Sequence, residues 1–284
     1  MKIEALRRVS PRILSASAIA ILLGLPLTVS AAPITIRSVA GADAAAIQTV
    51  VDLFRTDLGG VNNGNTLGSL ATGRREVNWD GGGAAANATQ FTSPMNTFNS
   101  GATTRGLVST STGMFEISGQ PTPEFGEINA TYPSIFQPFS APRLFSPIGT
   151  NVMDALFFEP GTNNQASIFG FGAVFSDVDF ANTSSLEFFT PTNVSLGTFF
   201  VPTFNNGLSF LGVTFTDRIG RVRITTGNAA LGPNDGGGTD VVALDDFIYS
   251  EPQPVPEPAT LTLLGTGVAV FVVSARRRRA RKAC

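Results

Sequence analysis

Histidine is missing from the sequence, lysine occurs only at positions 2 and 282, and the one cysteine is Cys284. These absences remove whole classes of chemistry. Without histidine there is no Ser-His-Asp triad, no histidine-ligated zinc and no imidazole acid-base catalysis. Without a cysteine in the body there is no thiol nucleophile and no internal disulfide, even in an oxidising compartment. Without lysine there, Schiff bases and Ser-Lys dyads are excluded. Carboxylates, hydroxyls and arginine remain, so the expectation is a protein that is not an enzyme. The competing expectation is a secreted hydrolase working through paired carboxylates.

What is present at the two ends concerns targeting. Lys2, Arg7, Arg8 and Arg12 precede an apolar run at 13–27, and Val29-Ser30-Ala31 offers small residues where a signal peptidase reads. This pattern predicts a signal peptide over 1–31, cleaved after Ala31. At the other end, residues 251–258 hold four prolines in eight positions and predict an extended, semi-rigid spacer. Residues 259–275 carry no charge. As a helix rising 1.5 Å per residue they span roughly 25 Å, enough to cross a hydrocarbon core. A basic tail at 276–284 follows, and such a cluster stays on the cytoplasmic side.

Val255-Pro256-Glu257-Pro258, the short apolar span with Leu263-Leu264-Gly265, and Arg276-Arg277-Arg278-Arg279 come in close order. This tail resembles the PEP-CTERM sorting signal of Gram-negative bacteria. The resemblance implies that Pro256, Glu257, Pro258 and the four arginines are recognition residues for an exosortase. It also implies transient anchoring in the inner membrane, then delivery to the cell surface or the extracellular polysaccharide matrix. Signal peptidase and exosortase are the processing partners this implies.

Between the ends, residues 32–250 form an exported body with nine arginines and no lysine against eighteen acids, a net charge of −9. An acidic domain repels nucleic-acid backbones, so no nucleic-acid partner is expected. A body of this length can bury a sizeable core without disulfides. Phenylalanine fills it, with 23 in the chain against two tyrosines and one tryptophan.

Residues 34–39 suit a strand. Residues 43–58 place Ile47, Val50, Val51, Phe54 and Leu58 at helical spacing, and Gly59-Gly60 stops the run. Residues 61–113, rich in Gly, Asn, Thr, Ala and Ser, predict long loops with scattered strands. Short strands follow at 114–118, 151–158, 168–175, 185–189, 194–201, 208–215, 221–226 and 241–249. The spacing predicts a mainly β fold, an antiparallel β-sandwich or jelly-roll-like body with one N-terminal amphipathic helix, plus the C-terminal transmembrane helix. Phe169, Phe171, Ala173 and Phe175 are expected on one face, with Gly170 and Gly172 on the other. The stretches 171–179, 195–199, 207–212, 221–224 and 244–247 resemble exported β-sandwich bodies that precede PEP-CTERM tails. Their general form is similar to galactose-binding-like jelly rolls of carbohydrate-binding modules.

Candidate sites are few. Asp177, Asp179, Asp235, Asp240, Asp245 and Asp246 are the candidate ligands of a structural calcium ion, which takes six to eight hard oxygens. No other cofactor is expected. Asp245 and Asp246 interrupt an apolar strand and should point to opposite faces, so at least one needs a partner such as calcium or arginine. Trp79 and Tyr132 are the candidates for stacking on a sugar ring, with extracellular polysaccharide as the partner. Glu124 with Glu127, or Glu159 with Glu187, are pairs a glycoside hydrolase would use, and only their separation in space decides between them.

Overall fold

The computed structural model describes residues 35–234 and 236–255. Ala31, Asp235, Pro256, Glu257, Pro258, the expected span at 259–275 and Arg276, Arg277, Arg278 and Arg279 lie outside the described residues. Among the described residues no helix is long and apolar enough to cross a membrane.

In chain order the elements are β1 (Thr35–Gly41), α1 (Ala44–Asp57), β2 (Arg74–Val77), β3 (Thr89–Phe91), β4 (Asn99–Ser100), β5 (Thr103–Thr104), β6 (Leu107–Ser111) and β7 (Met114–Ile117). Then come α2 (Tyr132–Ile135), β8 (Phe145–Ile148), β9 (Val152–Phe157), β10 (Ala166–Val178), β11 (Ser185–Phe189) and β12 (Ser195–Phe200). The last are β13 (Phe204–Ile219), β14 (Arg221–Thr225), β15 (Ala243–Ser250) and β16 (Gln253–Pro254). The expected strands are all present within a few residues. The sequence does not mark β2, β6 or β8. Arg74-Arg75-Glu76 is too charged to read as a strand, and Pro147 interrupts β8.

Two antiparallel sheets face each other. The larger runs β1-β13-β10-β15-β8-β7-β3, with β2 also on β15 and β16 on β10. The smaller runs β12-β11-β14-β9-β6. Period-two burial makes the sandwich: in β14, Val222 and Ile224 are buried while the arginines beside them stay half-exposed. The main core joins Phe171, Ala173 and Phe175 of β10 and Phe247 of β15 with Phe188, Ile224 and Phe157 of the smaller sheet. Each such ring contributes about 1.5–3 kcal/mol by leaving water.

α1 covers the outer face of the larger sheet. Asp43 caps it, accepting a hydrogen bond from the Ala46 N–H at 2.9 Å. Ile47, Val51, Phe54 and Leu58 pack on Val174, Leu208, Phe210 and Ile248. The sheet makes room with glycine: a Cβ on Gly172 or Gly212 would lie 2.8 or 2.7 Å from the Phe54 ring. Phe169 departs from expectation. The register shifts between Ile168 and Gly170, which puts Phe169 with the helix-facing cluster instead of with Phe171.

Candidate functional site

β15 holds two adjacent buried acids, Asp245 and Asp246, both raised above the ordinary carboxylate range. Against β10, Phe247 lies opposite Ala173 and Leu244 opposite Phe175, so Asp245 and Asp246 together face Val174. This bulge breaks the alternation that would have sent the two carboxylates to opposite faces. Both are buried, at 0% and 2% exposure, and both meet Ser140. The N–H groups of Phe139 and Ser140 donate to Asp245 Oδ2 at 2.6 and 3.0 Å. The Ser140 hydroxyl donates to Asp246 Oδ1 at 2.6 Å. Arg55 reaches in from α1 to Asp246 Oδ2 at 3.3 Å and pairs with Glu76, which Arg74 also holds. The arginine alternative is therefore the one realised at Asp246.

Burial raises the Asp245 carboxyl well above the usual carboxylate range, and the neighbouring Asp246 adds to the effect. Burial pushes Asp246 up to about 6, against the pull of Ser140 and Arg55. Asp245 is thus biased toward its protonated form, and the burial of both acids denies a substrate access to them.

The other candidate ligands are spread differently. Asp240 accepts from the Asp179 N–H at 3.1 Å and from the Thr183 hydroxyl. Asp177 accepts from the Asn206 N–H at 2.6 Å. Among the described residues, no group of three or more acids is arranged to hold a metal ion. Trp79 is 2% exposed and lies flat on Phe145, with ring centroids 3.7 Å apart. Its Nε1–H donates to the Asp245 carbonyl at 3.1 Å. Tyr132 is fully buried, its hydroxyl bonded to Gly232. Neither ring turns an open face to solvent, which corrects their reading as a sugar-stacking surface.

Among the glutamates, Glu127 neighbours Glu116, and the two act on each other's protons. Burial, then the hydrogen bond with Glu127, raises Glu116 to about 7. On Glu127 burial works upward, but the bonds from Glu116, its own backbone and Thr122 leave it lowered. Glu159 is bonded to Asn164 and Glu187 to Ser195.

At the base of the tail the chain is held by a buried ion pair that the sequence did not suggest. Arg75 Nε and Nη2 meet Glu251 Oε2 and Oε1 at 2.9 and 2.7 Å. Its remaining donors reach the carbonyls of Gly64, Gly68 and Thr104. Glu251 also accepts from Asn63 and Leu70. Arg75 shares a strand face with buried Val77, and that alternation was the available signal. Beyond the pair, Gln253 and Pro254 form β16 on Ser167 and Ala166 of β10. The described body thus runs on to Val255, a few residues past the boundary expected at 250, and the first half of the proline segment is part of the fold.

A family model for the PEP-CTERM protein-sorting motif matches residues 254–279. No curated protein and no solved structure matches the chain. The chain thus carries a PEP-CTERM sorting motif, which supports an exosortase-substrate, sorting-signal protein and implies export through the envelope and sorting toward the surface. The motif begins at Pro254, the residue that ends β16, so its first two residues, Pro254 and Val255, belong to the described body.

Proposed function

We propose that residues 32–255 are a structural and adhesive component of the cell surface or extracellular matrix, in contact with polysaccharide, and not an enzyme. Signal peptidase frees the chain after Ala31, the span at 259–275 anchors it transiently in the inner membrane, and exosortase acts near Pro256-Glu257-Pro258. No cofactor is required.

The observation that carries this reading is the placement of the acids. Composition leaves carboxylates as the main catalytic groups, yet Asp245, Asp246 and Glu251 are at most 2% exposed, and Asp154 is tied to Arg221 and Arg223. A hydrolase needs two acids flanking a bond that water can reach. A second reading rests on Glu116 and Glu127, one buried and one exposed, whose proton affinities are pushed apart as an acid and a base require.

The test is to offer the purified full chain, in detergent, a glycan array and a panel of glycosidase and esterase substrates. Retention on glycans without turnover is expected. Turnover that disappears in Glu116→Gln would replace the adhesive reading with the hydrolytic one.

A further inference from the structure

A cavity of about 350 Å³ lies beside Trp79, walled by the segment after β2, by β3 and by the β4–β5 hairpin. That is within the size of small-molecule sites, about 300–1,000 Å³. Its apolar wall is Trp79, Phe91 and Phe98. Trp79 is fixed between Phe145 below and the edge contact with Phe98, 5.1 Å between centroids. It is also held at φ 63, a left-handed backbone unusual for a bulky residue and kept only where the surroundings impose it.

The cations are more telling. Of the nine arginines in the body, six are in ion pairs among the described residues, and Arg105, Arg143 and Arg218 are not. Two of those three line this one cavity. Arg143 is 5% exposed and donates only to carbonyls, those of Gly81, Asn87, Ile117 and Ser118. Asp80 is the acid that acts on it, and it accepts from the Arg143 backbone N–H at 3.2 Å. Arg105 donates Nε to Asn65 and Nη1 to the Glu76 carbonyl, and its guanidinium lies 6.0 Å from the Phe98 ring. Its Nη2 makes no hydrogen bond among the described residues. The same is true of the Asn78 amide and the Thr97 hydroxyl, which also line the cavity.

We propose that this cavity binds a sugar acid, a hexuronate unit carrying its carboxylate to Arg105. Arg105 has no carboxylate partner among the described residues, and such a charge in a partly enclosed space favours an anion. The free Nη2 supplies a charge-assisted hydrogen bond. Phe91 and Phe98, both half-buried, take the apolar face of a ring while Trp79 packs behind them, and Asn78 and Thr97 take its hydroxyls. A neutral sugar lacks the charge, and a plain aromatic acid leaves the amide and hydroxyl unmatched. The proposal rests on the polysaccharide-contact reading and names the sugar chemistry for it.

Trp79 is the single tryptophan of the chain, so its emission reports on the cavity directly. The full chain in detergent is titrated with sodium D-galacturonate, D-galactose and sodium benzoate at constant ionic strength. A saturable emission change with galacturonate is expected, with galactose and benzoate weaker by roughly tenfold or more, as loss of a hydrogen bond to a charged group implies. Arg105→Gln should weaken galacturonate by a similar factor, while Arg218→Gln, at an exposed cation elsewhere, should not. No saturable change, an equal response to galactose or benzoate, or unchanged affinity in Arg105→Gln would overturn the site. If Arg105→Gln does not melt cooperatively, Asn78→Ala at an exposed, unbonded position takes its place, and unchanged affinity there is equally damaging. Glycan retention that survives Arg105→Gln would leave polysaccharide contact standing and remove this site alone.

Discussion

Glu116 is 1% exposed on β7 and bonded to Gln90 at 2.7 Å. In the fold it keeps its proton up to about 7, against an ordinary value of 4.5, because it is buried and next to Glu127. Between those two values the folded chain binds more protons than the unfolded chain, so stability falls as pH rises through that window. Asp246, raised to about 6, and Asp245, raised well above its ordinary value, act in the same direction. Glu127 is lowered and works oppositely, but only below its ordinary value. The melting temperature is therefore expected to be higher at pH 5 than at pH 8, by several degrees at roughly 2–4 °C per kcal/mol for a body of this size. Glu116→Gln should flatten the profile and raise the value at pH 8. A melting temperature that climbs steadily from pH 5 to pH 8 would count against protonated acids in the core.

At the scale of elements, α1 depends on a glycine-lined seat. Gly212→Val places its first carbon 2.7 Å from Phe54 and leaves the ring nowhere to go, since Gly172 already lies against it. Overpacking of this kind costs about 1–3 kcal/mol. Phe54→Ala alone should cost about 3–5 kcal/mol, and distinctly less in the Gly212→Val background, because the two changes share one space. Denaturant titration of the four proteins measures this, and strict additivity would mean the helix does not sit as described. The seat also shows what was legible in the sequence. The helix, its Gly59-Gly60 stop and the period-two strands were readable because each is a local pattern. Gly170 and Gly172 were readable as a face without side chains, but what fills that face is a contact with a distant segment. Asp245 and Asp246 were misread for a related reason. A bulge is set by the partner strand, and a rule of strict alternation cannot see it. The aromatic candidates failed because Trp79 and Tyr132 mark packing as readily as recognition, whereas Arg105, placed by the β4–β5 hairpin, carries no local signature at all.

On the scale of the whole molecule, the Arg75–Glu251 pair ties the chain to the body just after β15, ahead of the sorting motif. All five guanidinium donors are used and both carboxylate oxygens accept twice. Removing one partner strands the other, and Glu251→Ala is expected to cost about 3–5 kcal/mol in a denaturant titration. A loss below about 1 kcal/mol, the range of exposed pairs, would deny that the pair is buried and structural. Val255 bonds to Gln165 at 3.4 Å and is the last described residue held by the body. Deleting Pro256, Glu257 and Pro258 while keeping the apolar stretch should therefore leave the melting temperature unchanged and abolish processing, so that the uncut chain stays in the membrane fraction. Immunoblots of fractionated cells distinguish the outcomes. If the deleted chain is still cut and delivered to the surface, the Pro-Glu-Pro element is not what the sorting machinery reads. If the melting temperature drops instead, the fold reaches further into the tail than Val255, and body and signal are one unit.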